Sequence, residues 1–170
     1  MDYKSLIRDV PDYPKPGILF KDLTTLWKNA DAFKASMNDM VALYKGVKID
    51  KVIGIESRGF IIGAGLAYLL GAGFVPVRKK GKLPADVISE TYDLEYGTDT
   101  LTLHKDSVEP GEKVLVVDDL IATGGTCTAV AKMVEKLGGK IVGFGFMVEL
   151  SFLKGREKLK QYDLKTLITY

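Results

Sequence analysis

Short runs of apolar, largely β-branched residues recur along the chain and are separated by segments of helix length. A continuous apolar run favours a strand buried on both faces of its sheet, because a half-exposed strand would alternate apolar and polar residues. Strands that alternate with helices predict parallel pairing through crossover helices. The pattern therefore predicts a doubly wound α/β fold around a parallel sheet, with strands at residues 52–55, 74–77, 114–117, 141–148 and 164–168.

Helical spacing of apolar residues appears between the predicted strands. It runs across residues 31–44, ends near Gly46, and returns at residues 129–137 before a Gly-Gly pair. Residues 60–77 form an uncharged run about as long as a membrane-spanning helix. Its glycine break at residues 71–73 and Pro76 divide it into a helix and a strand, so we expect no membrane span.

Two segments do not follow the alternation of strands and helices. Residues 13–25 are led by Pro and Gly and are predicted to be irregular. Residues 79–104 are polar, with strand-like pieces at 87–94 and 100–104. Polar inserts in compact α/β domains are usually functional or disordered. We therefore predict a mobile hairpin that covers the functional site.

Composition narrows the possible functions. The 24 Lys+Arg nearly balance the 22 Asp+Glu, so neither general nucleic-acid binding nor membrane-surface binding is expected. One Cys and one His exclude a disulfide framework and Cys-rich zinc sites. The length suits a single domain spanning residues 1–170. The first residues contain no apolar signal-peptide core, so the predicted location is the cytoplasm.

The strongest motif follows the predicted strand at residues 114–117. Ligands of open α/β sheets collect at the carboxyl ends of strands, where helices begin. Gly124 and Gly125 would let backbone N–H groups turn onto a phosphate, while Thr123 and Thr126 offer hydroxyl donors. With Ala122, these residues predict a cradle for a phosphate monoester.

Two acids, Asp118 and Asp119, directly precede this cradle. Carboxylates next to a phosphate would repel it unless they faced its hydroxyl groups or a bridging cation. The pair therefore suits a ribose diol with Mg²⁺ nearby. The alternative is a solvated strand end followed by a simple turn that Thr126 caps. Either feature alone favours that alternative, but the two in order after a buried strand favour ligand binding.

Residues 116–126 resemble the fingerprint of type I phosphoribosyltransferases. Further stretches at residues 14–22, 56–60, 78–84, 94–97 and 149–157 are similar to the adenine phosphoribosyltransferase family, and the resemblance covers nearly the whole chain. It implies that adenine and 5-phosphoribosyl-1-pyrophosphate give AMP and pyrophosphate, with Mg²⁺ as cofactor. It also implies a homodimer. Mg²⁺ would be held mainly through the donor, with no direct protein ligand expected.

The resemblance also assigns roles to residues at the donor end. The cradle would hold the 5′-phosphate, with the ribose hydroxyls on the two acids. Arg58, beside Ser57, would reach the pyrophosphate as a catalytic residue, and Lys79 and Lys82 would line the same side. The sequence alone leaves alternatives open: Ser57 suits a helix cap, and a basic run is commonly a solvated loop.

The adenine end is assigned in the same way. Glu95 would handle the proton of the purine ring from a loop that also contains Tyr96. Leu19, Phe20 and Lys21 would recognise the base, and Leu150 would close its opposite face. Ordinary packing is the alternative, above all for Phe20.

Two competing functions are weighed against this one. Gly59, Gly63 and Gly65 prompt a dinucleotide-binding hypothesis, but their spacing does not match the required motif and no ribose-binding acid follows at about twenty residues. The other competitor is a nucleotide-sensing regulator without catalysis on the same fold.

Overall fold

The computed structural model describes residues 1–93 and 97–170. Its strands are β1 (Arg8–Pro11), β2 (Leu19–Asp22), β3 (Lys51–Ile55), β4 (Gly73–Lys79), β5 (Val87–Asp93), β6 (Thr98–His104), β7 (Lys113–Ile121), β8 (Lys140–Glu149) and β9 (Leu164–Thr169). Its α-helices are α1 (Thr24–Trp27), α2 (Ala30–Leu43), α3 (Gly59–Leu70) and α4 (Gly125–Lys136). Short 3-10 helices lie at Lys4–Leu6, Ser151–Leu153 and Gly155–Leu159.

A seven-stranded sheet in the order β5-β6-β4-β3-β7-β8-β9 forms the centre of the fold. Five of its strands pair in parallel, namely β4, β3, β7, β8 and β9, and they contain all five strands that the sequence predicts. Apolar residues of α4 pack in one buried cluster, and those of α2 and α3 pack in another. The predicted doubly wound α/β fold is confirmed.

The helix boundaries follow from local chemistry. The Asn29 side chain accepts a hydrogen bond from the Ala32 N–H and so caps α2. Helix α3 ends at Gly71, whose φ of 67° is readily adopted only by glycine. The uncharged run at residues 60–77 is thereby divided between α3 and β4, as predicted. Within residues 1–93 and 97–170, no helix has the length and apolar character needed to cross a membrane.

The predicted hairpin is present and is joined to the sheet. Strands β5 and β6 pair in an antiparallel arrangement, and β6 also pairs with β4 through Arg78–Thr102 and Lys79–Leu101. On the other side, the Glu90 carboxylate contacts the ammonium groups of Lys132 and Lys136 on α4, at 3.0 and 2.8 Å. The base of the hairpin therefore forms one edge of the central sheet. The mobility of the hairpin stays a prediction.

Residues 13–25 are more regular than the sequence predicts. Strand β2 lies within this segment and pairs with β1 in a separate two-stranded sheet. Helix α1 begins immediately afterwards, so the prediction of irregular structure was wrong for residues 19–22 and for 24 and 25. Pairing with β1, which precedes it in the chain, supplies this order, because the Pro and Gly residues occupy the connection before β2.

Tyr44 joins α2 to the sheet through a buried hydrogen bond, in which its hydroxyl donates to the Phe144 carbonyl oxygen at 2.7 Å. Tyr44→Phe would remove this buried hydrogen bond, so the free energy of unfolding is expected to fall by about 0.5–1.5 kcal/mol. Urea denaturation measures the change. The control is Tyr162→Phe, which removes an exposed hydrogen bond from the Tyr162 hydroxyl to Glu135 that water can replace. Equal stability of both variants would contradict the prediction.

Candidate active site

The phosphate cradle lies between the end of β7 and the start of α4. Gly124 is the N-cap residue of α4 and has a φ of 77°, which disfavours any side chain. The first N–H groups of a helix lack intrahelical acceptors and attract anions. They border a cavity of about 100 Å³, which is lined by residues 118, 120–124, 126 and 127. The predicted cradle residues are thus together at one cavity, with Gly125 opening the helix beside it.

Gly155 is a neighbour of the cradle that the sequence analysis did not single out. A Cβ atom at Gly155 would lie 2.2 Å from the Ala122 carbonyl oxygen, and one at Gly124 would lie 2.6 Å from the Gly155 carbonyl oxygen. The two backbones are in direct contact, without room for a side chain. The Lys-Gly-Arg sequence at 154–156 was part of the family resemblance, but its spatial position could not be inferred from it.

The two acids occupy different environments at the end of β7. Asp119 is 3% exposed, whereas Asp118 lines the cradle cavity. The Asp119 N–H donates to Asp118 Oδ1 at 2.8 Å. Burial, and then repulsion from Asp119, raises the pKa of Asp118. Burial also raises the pKa of Asp119, and the Arg58 guanidinium opposes that rise.

Arg58 contacts both Asp119 and Phe20. Its Nε lies 2.8 Å from Asp119 Oδ2, and its guanidinium carbon lies 4.8 Å from the centre of the Phe20 ring. The contact with Asp119 lacks hydrogen-bond geometry, and within the described residues this buried oxygen has no hydrogen-bond partner. Arg58 itself is the N-cap residue of α3, without a side-chain cap bond. The alternative role of Ser57 as a helix cap was therefore wrong.

A second cavity, of about 340 Å³, lies beside Arg58. It is lined by Val10, Tyr13, Phe20, Asp22, Thr24 and Arg58. The rings of Tyr13 and Phe20 meet edge to face at 5.1 Å between centroids. Such a mixture of an aromatic face and a few polar groups suits a planar heterocycle.

The other predicted base-binding residues are placed differently. Leu19 is exposed, while the Lys21 side chain is buried and contacts Asp9 Oδ1 at 2.6 Å and the Tyr170 ring at 4.0 Å. The Lys21 ammonium group is therefore engaged within the protein and does not line this cavity. Leu150 packs against the apolar cluster of α2 and α3 and is not among the residues that line this cavity.

Glu56 directly follows β3 and contacts the basic residues Arg78 and Lys79 at the end of β4. Its carboxylate accepts hydrogen bonds from the Lys79 N–H at 2.7 Å and from Arg78 Nη2 at 3.2 Å. Arg78 Nη1 in turn donates to the carbonyl oxygen of Lys82. Lys79 Nζ lies 2.9 Å from Asp99 Oδ2, and this contact raises the pKa of Lys79. Lys79 and Lys82 are thus placed on one turn, whereas Glu95 and Tyr96 lie outside the described residues.

Comparisons with known proteins decide the family. Residues 27–168 match the family model described as "Phosphoribosyl transferase domain". The adenine phosphoribosyltransferase of Solibacter usitatus is 57% identical to the chain over 169 residues, which are 99% of this chain and 98% of that protein. The chain belongs to the adenine phosphoribosyltransferase family.

Solved adenine phosphoribosyltransferases have the same fold. The structure from Thermoanaerobacter pseudethanolicus matches with a TM-score of 0.97 and 53% identity, over 99% of this chain and 98% of that one. The enzyme from Saccharomyces cerevisiae, solved with adenine and an imino-altritol bisphosphate, matches with a TM-score of 0.92 and 40% identity. That match covers 98% of this chain and 96% of the yeast chain.

Family membership overturns the dinucleotide-binding hypothesis, and packing explains the glycines that prompted it. A Cβ at Gly63 would lie 2.8 Å from the Phe74 ring, and one at Gly65 would lie 2.6 Å from Met37 Cε. A Cβ at Gly59 would lie 2.8 Å from Asp118 Oδ1. These glycines allow α3 to approach its neighbours closely.

Proposed function

We propose that this adenine phosphoribosyltransferase family member transfers the 5-phosphoribosyl group from 5-phosphoribosyl-1-pyrophosphate to adenine, releasing pyrophosphate and forming AMP. One observation carries the proposal: the aromatic cavity, Arg58, the two acids and the phosphate cradle form a continuous row. Arg58 lines the aromatic cavity and contacts Asp119, while Asp118 lines the cradle cavity. That order matches the base, ribose and 5′-phosphate of a nucleoside monophosphate.

The proposed roles follow this row. Residues 122–126 hold the 5′-phosphate through backbone N–H groups and the hydroxyls of Thr123 and Thr126. Asp118 and Asp119 accept hydrogen bonds from the ribose hydroxyls. Asp119 Oδ2 supports this role, because it is buried and has the ion pair with Arg58 but accepts no hydrogen bond among the described residues, and a ribose hydroxyl would supply one.

The proposed pyrophosphate site lies at the ends of β3 and β4. Ser57 and Arg58 approach it from one loop, and Lys79 and Lys82 approach from the other. Their positive charge would stabilise the negative charge that develops on the departing pyrophosphate. Glu56 accepts hydrogen bonds from Arg78 and from the Lys79 N–H, and these bonds support a fixed distance between the two loops.

The proposed base site uses Leu19, Phe20 and the Lys21 backbone, with Leu150 closing the opposite face. Phe20 is the best supported, since its ring borders the 340 Å³ cavity beside Arg58. Glu95 stays the proposed proton-handling residue and Tyr96 its neighbour in the loop, on the resemblance alone. Both follow the end of β5 at Asp93.

Mg²⁺ fits as a cofactor that the donor brings. Among the described residues, no three His, Cys, Asp or Glu side chains cluster as a metal site. Mg²⁺ commonly keeps several waters and binds through substrate phosphates, so the donor's pyrophosphate and ribose would hold it, with Asp118 and Asp119 nearby. When bound, the ion would neutralise charge on the pyrophosphate.

The chain's own contribution is positioning and the exclusion of water. The attacking purine nitrogen must face C1′ of the ribose from the side opposite the departing pyrophosphate, and the row of sites supplies that alignment. Water would compete for the electron-poor ribose carbon. We therefore propose that the hairpin of β5 and β6 covers the site during turnover.

We also propose a single domain that forms a homodimer in the cytoplasm. One sheet shared by both core clusters supports the single domain. An apolar surface on α3 and β4 supports the dimer, because its side chains are exposed in the isolated chain. These residues are Ile61, Tyr68, Leu69 and Phe74.

Radiolabelled adenine, incubated with the donor and Mg²⁺, is expected to appear as AMP, whereas hypoxanthine and guanine are expected to react poorly. The backbone of β2 can pair with the amino edge of adenine but mismatches a 6-oxo purine. The control omits the donor. Tight AMP binding without turnover would instead favour the nucleotide-sensing regulator, and comparable turnover of hypoxanthine would contradict the proposed specificity.

A further inference from the structure

The cradle depends on a segment that lies outside it. Gly155 contacts the backbone of Ala122 and Gly124 so closely that neither glycine could carry a Cβ atom. The direction of the cradle's N–H groups therefore depends on where the Gly155 backbone lies. Lys154, the residue before it, has a φ of 55°, in a region that residues other than glycine seldom occupy. Such a turn persists only where its surroundings hold it.

Arg156 is the side chain that holds this turn. Its Nε and Nη2 donate to the two carboxylate oxygens of Glu149, at 3.0 and 2.6 Å, and its Nη1 donates to the Leu164 carbonyl oxygen at 2.9 Å. A bidentate pair of this kind fixes direction as well as distance. Arg156 thus joins the turn to the last residue of β8 and to the first residue of β9.

Glu149 is equally well fixed. Its carboxylate is buried and also lies 3.3 Å from Thr166 Oγ1. In the sheet, Glu149 is paired with Ile121, the residue directly before the cradle, and the Leu150 N–H donates to the Ile121 carbonyl oxygen. The pair therefore fixes the Gly155 turn relative to the same strand end from which the cradle starts.

We infer that Arg156 and Glu149 are a positioning pair for the 5′-phosphate: they act through Gly155 to hold the cradle in its binding shape. Neither residue lines the cradle cavity. The inference rests on the proposed function, because it assigns the pair to the binding of a phosphoribosyl ligand. Their effect should fall on ligands that carry the 5′-phosphate and spare the free base.

Isothermal titration of Arg156→Gln with AMP and, separately, with adenine tests the pair. The expected result is a loss of AMP affinity on the order of tenfold, because a displaced cradle would misalign its N–H groups, whose hydrogen bonds to a charged phosphate are strong. Adenine affinity should change little. Arg156→Lys keeps the charge without the two-pronged contact, so its loss should be intermediate.

A double-mutant cycle separates the pair from general destabilisation. Glu149→Gln should reproduce the AMP loss, and the double variant should lose little more than either single change. Lys51→Gln is the control, since it breaks a Lys51–Glu112 ion pair at the opposite end of the sheet. Its AMP affinity should match the wild type. If Arg156→Gln does not fold, Arg156→Lys and Glu149→Gln test the inference instead. Their affinity for AMP should fall while their affinity for adenine changes little.

The possible results distinguish a failure of the proposed function from a failure of the positioning pair. A wild-type chain that does not bind AMP would overturn the proposed function. Normal AMP binding by the wild type and by the folded variants would overturn the positioning pair alone. Equal losses for AMP and adenine would also overturn it, because a cradle effect cannot reach a ligand without a phosphate.

Discussion

Gly124→Val is expected to abolish detectable donor binding and to lower the free energy of unfolding by about 2–5 kcal/mol. Two costs add: about 1–2 kcal/mol for a side chain at positive φ and about 1–3 kcal/mol for forcing atoms into a packed site. The second arises because a Cβ would lie 2.6 Å from the Gly155 carbonyl oxygen. Donor titration and urea denaturation on the same protein measure both effects.

Thr123→Val is the matched comparison, because the Thr123 side chain is exposed. The substitution leaves the contact between the Gly124 and Gly155 backbones intact. It removes one hydroxyl donor to a charged acceptor, which is worth about 1.5–3 kcal/mol of binding. Its stability should stay near that of the wild type. A Gly124→Val chain with normal donor affinity would remove the basis for placing the phosphate at this cradle.

Asp119→Asn is expected to weaken donor binding by about ten- to a hundredfold, because a charged acceptor for a ribose hydroxyl is lost. Asp118→Asn should act in the same direction. Adenine does not contact these side chains in the proposed arrangement, so its affinity should be nearly unchanged. Separate titrations with donor and adenine measure the split, and equal losses for both ligands would indicate a folding defect.

The same acids make a prediction about stability and pH. Burial raises the pKa of Asp118 in the folded chain, so the folded state binds that proton more tightly than the unfolded state. The ligand-free protein therefore loses stability as pH rises above the ordinary carboxylate range. Asp118→Asn cannot ionise, so it should be more stable than the wild type at neutral pH and should converge with it in acid. Urea denaturation from acidic to neutral pH measures this, and convergence at neutral pH instead would contradict it.

The sequence predicted the parallel core well, since residues 114–117 and 141–148 are apolar throughout and buried strands leave few other interpretations. The placement of the proposed cradle residues in one loop was also predictable, because Thr123, Gly124 and their neighbours are contiguous in the chain. Residues that are contiguous in the chain stay close together whatever the fold. The structure then places each predicted cradle residue at or beside one cavity.

Contacts between distant segments could not be predicted in the same way. Strand β2 gains its order from β1, across a connection that contains the Pro and Gly residues, so residues 13–25 alone favoured irregular structure. Gly155 is an ordinary glycine until its carbonyl oxygen is placed against Gly124. The ion pair of Arg156 and Glu149 has no periodicity to reveal it, since it depends on how a turn folds back onto a strand.

The strand order also bears on how the chain folds. Strands β3 and β7 are neighbours in the sheet, yet β4 and the hairpin of β5 and β6 lie between them in sequence. Closing so long a loop carries an entropic cost before any contact rewards it. The cradle belongs to the contiguous unit of β7 and α4, whereas Arg58 reaches Asp119 only after β3 and β7 have paired. The ribose site is thus completed only once β3 and β7 have paired, and the cradle takes its final shape only when the Gly155 turn folds back onto it.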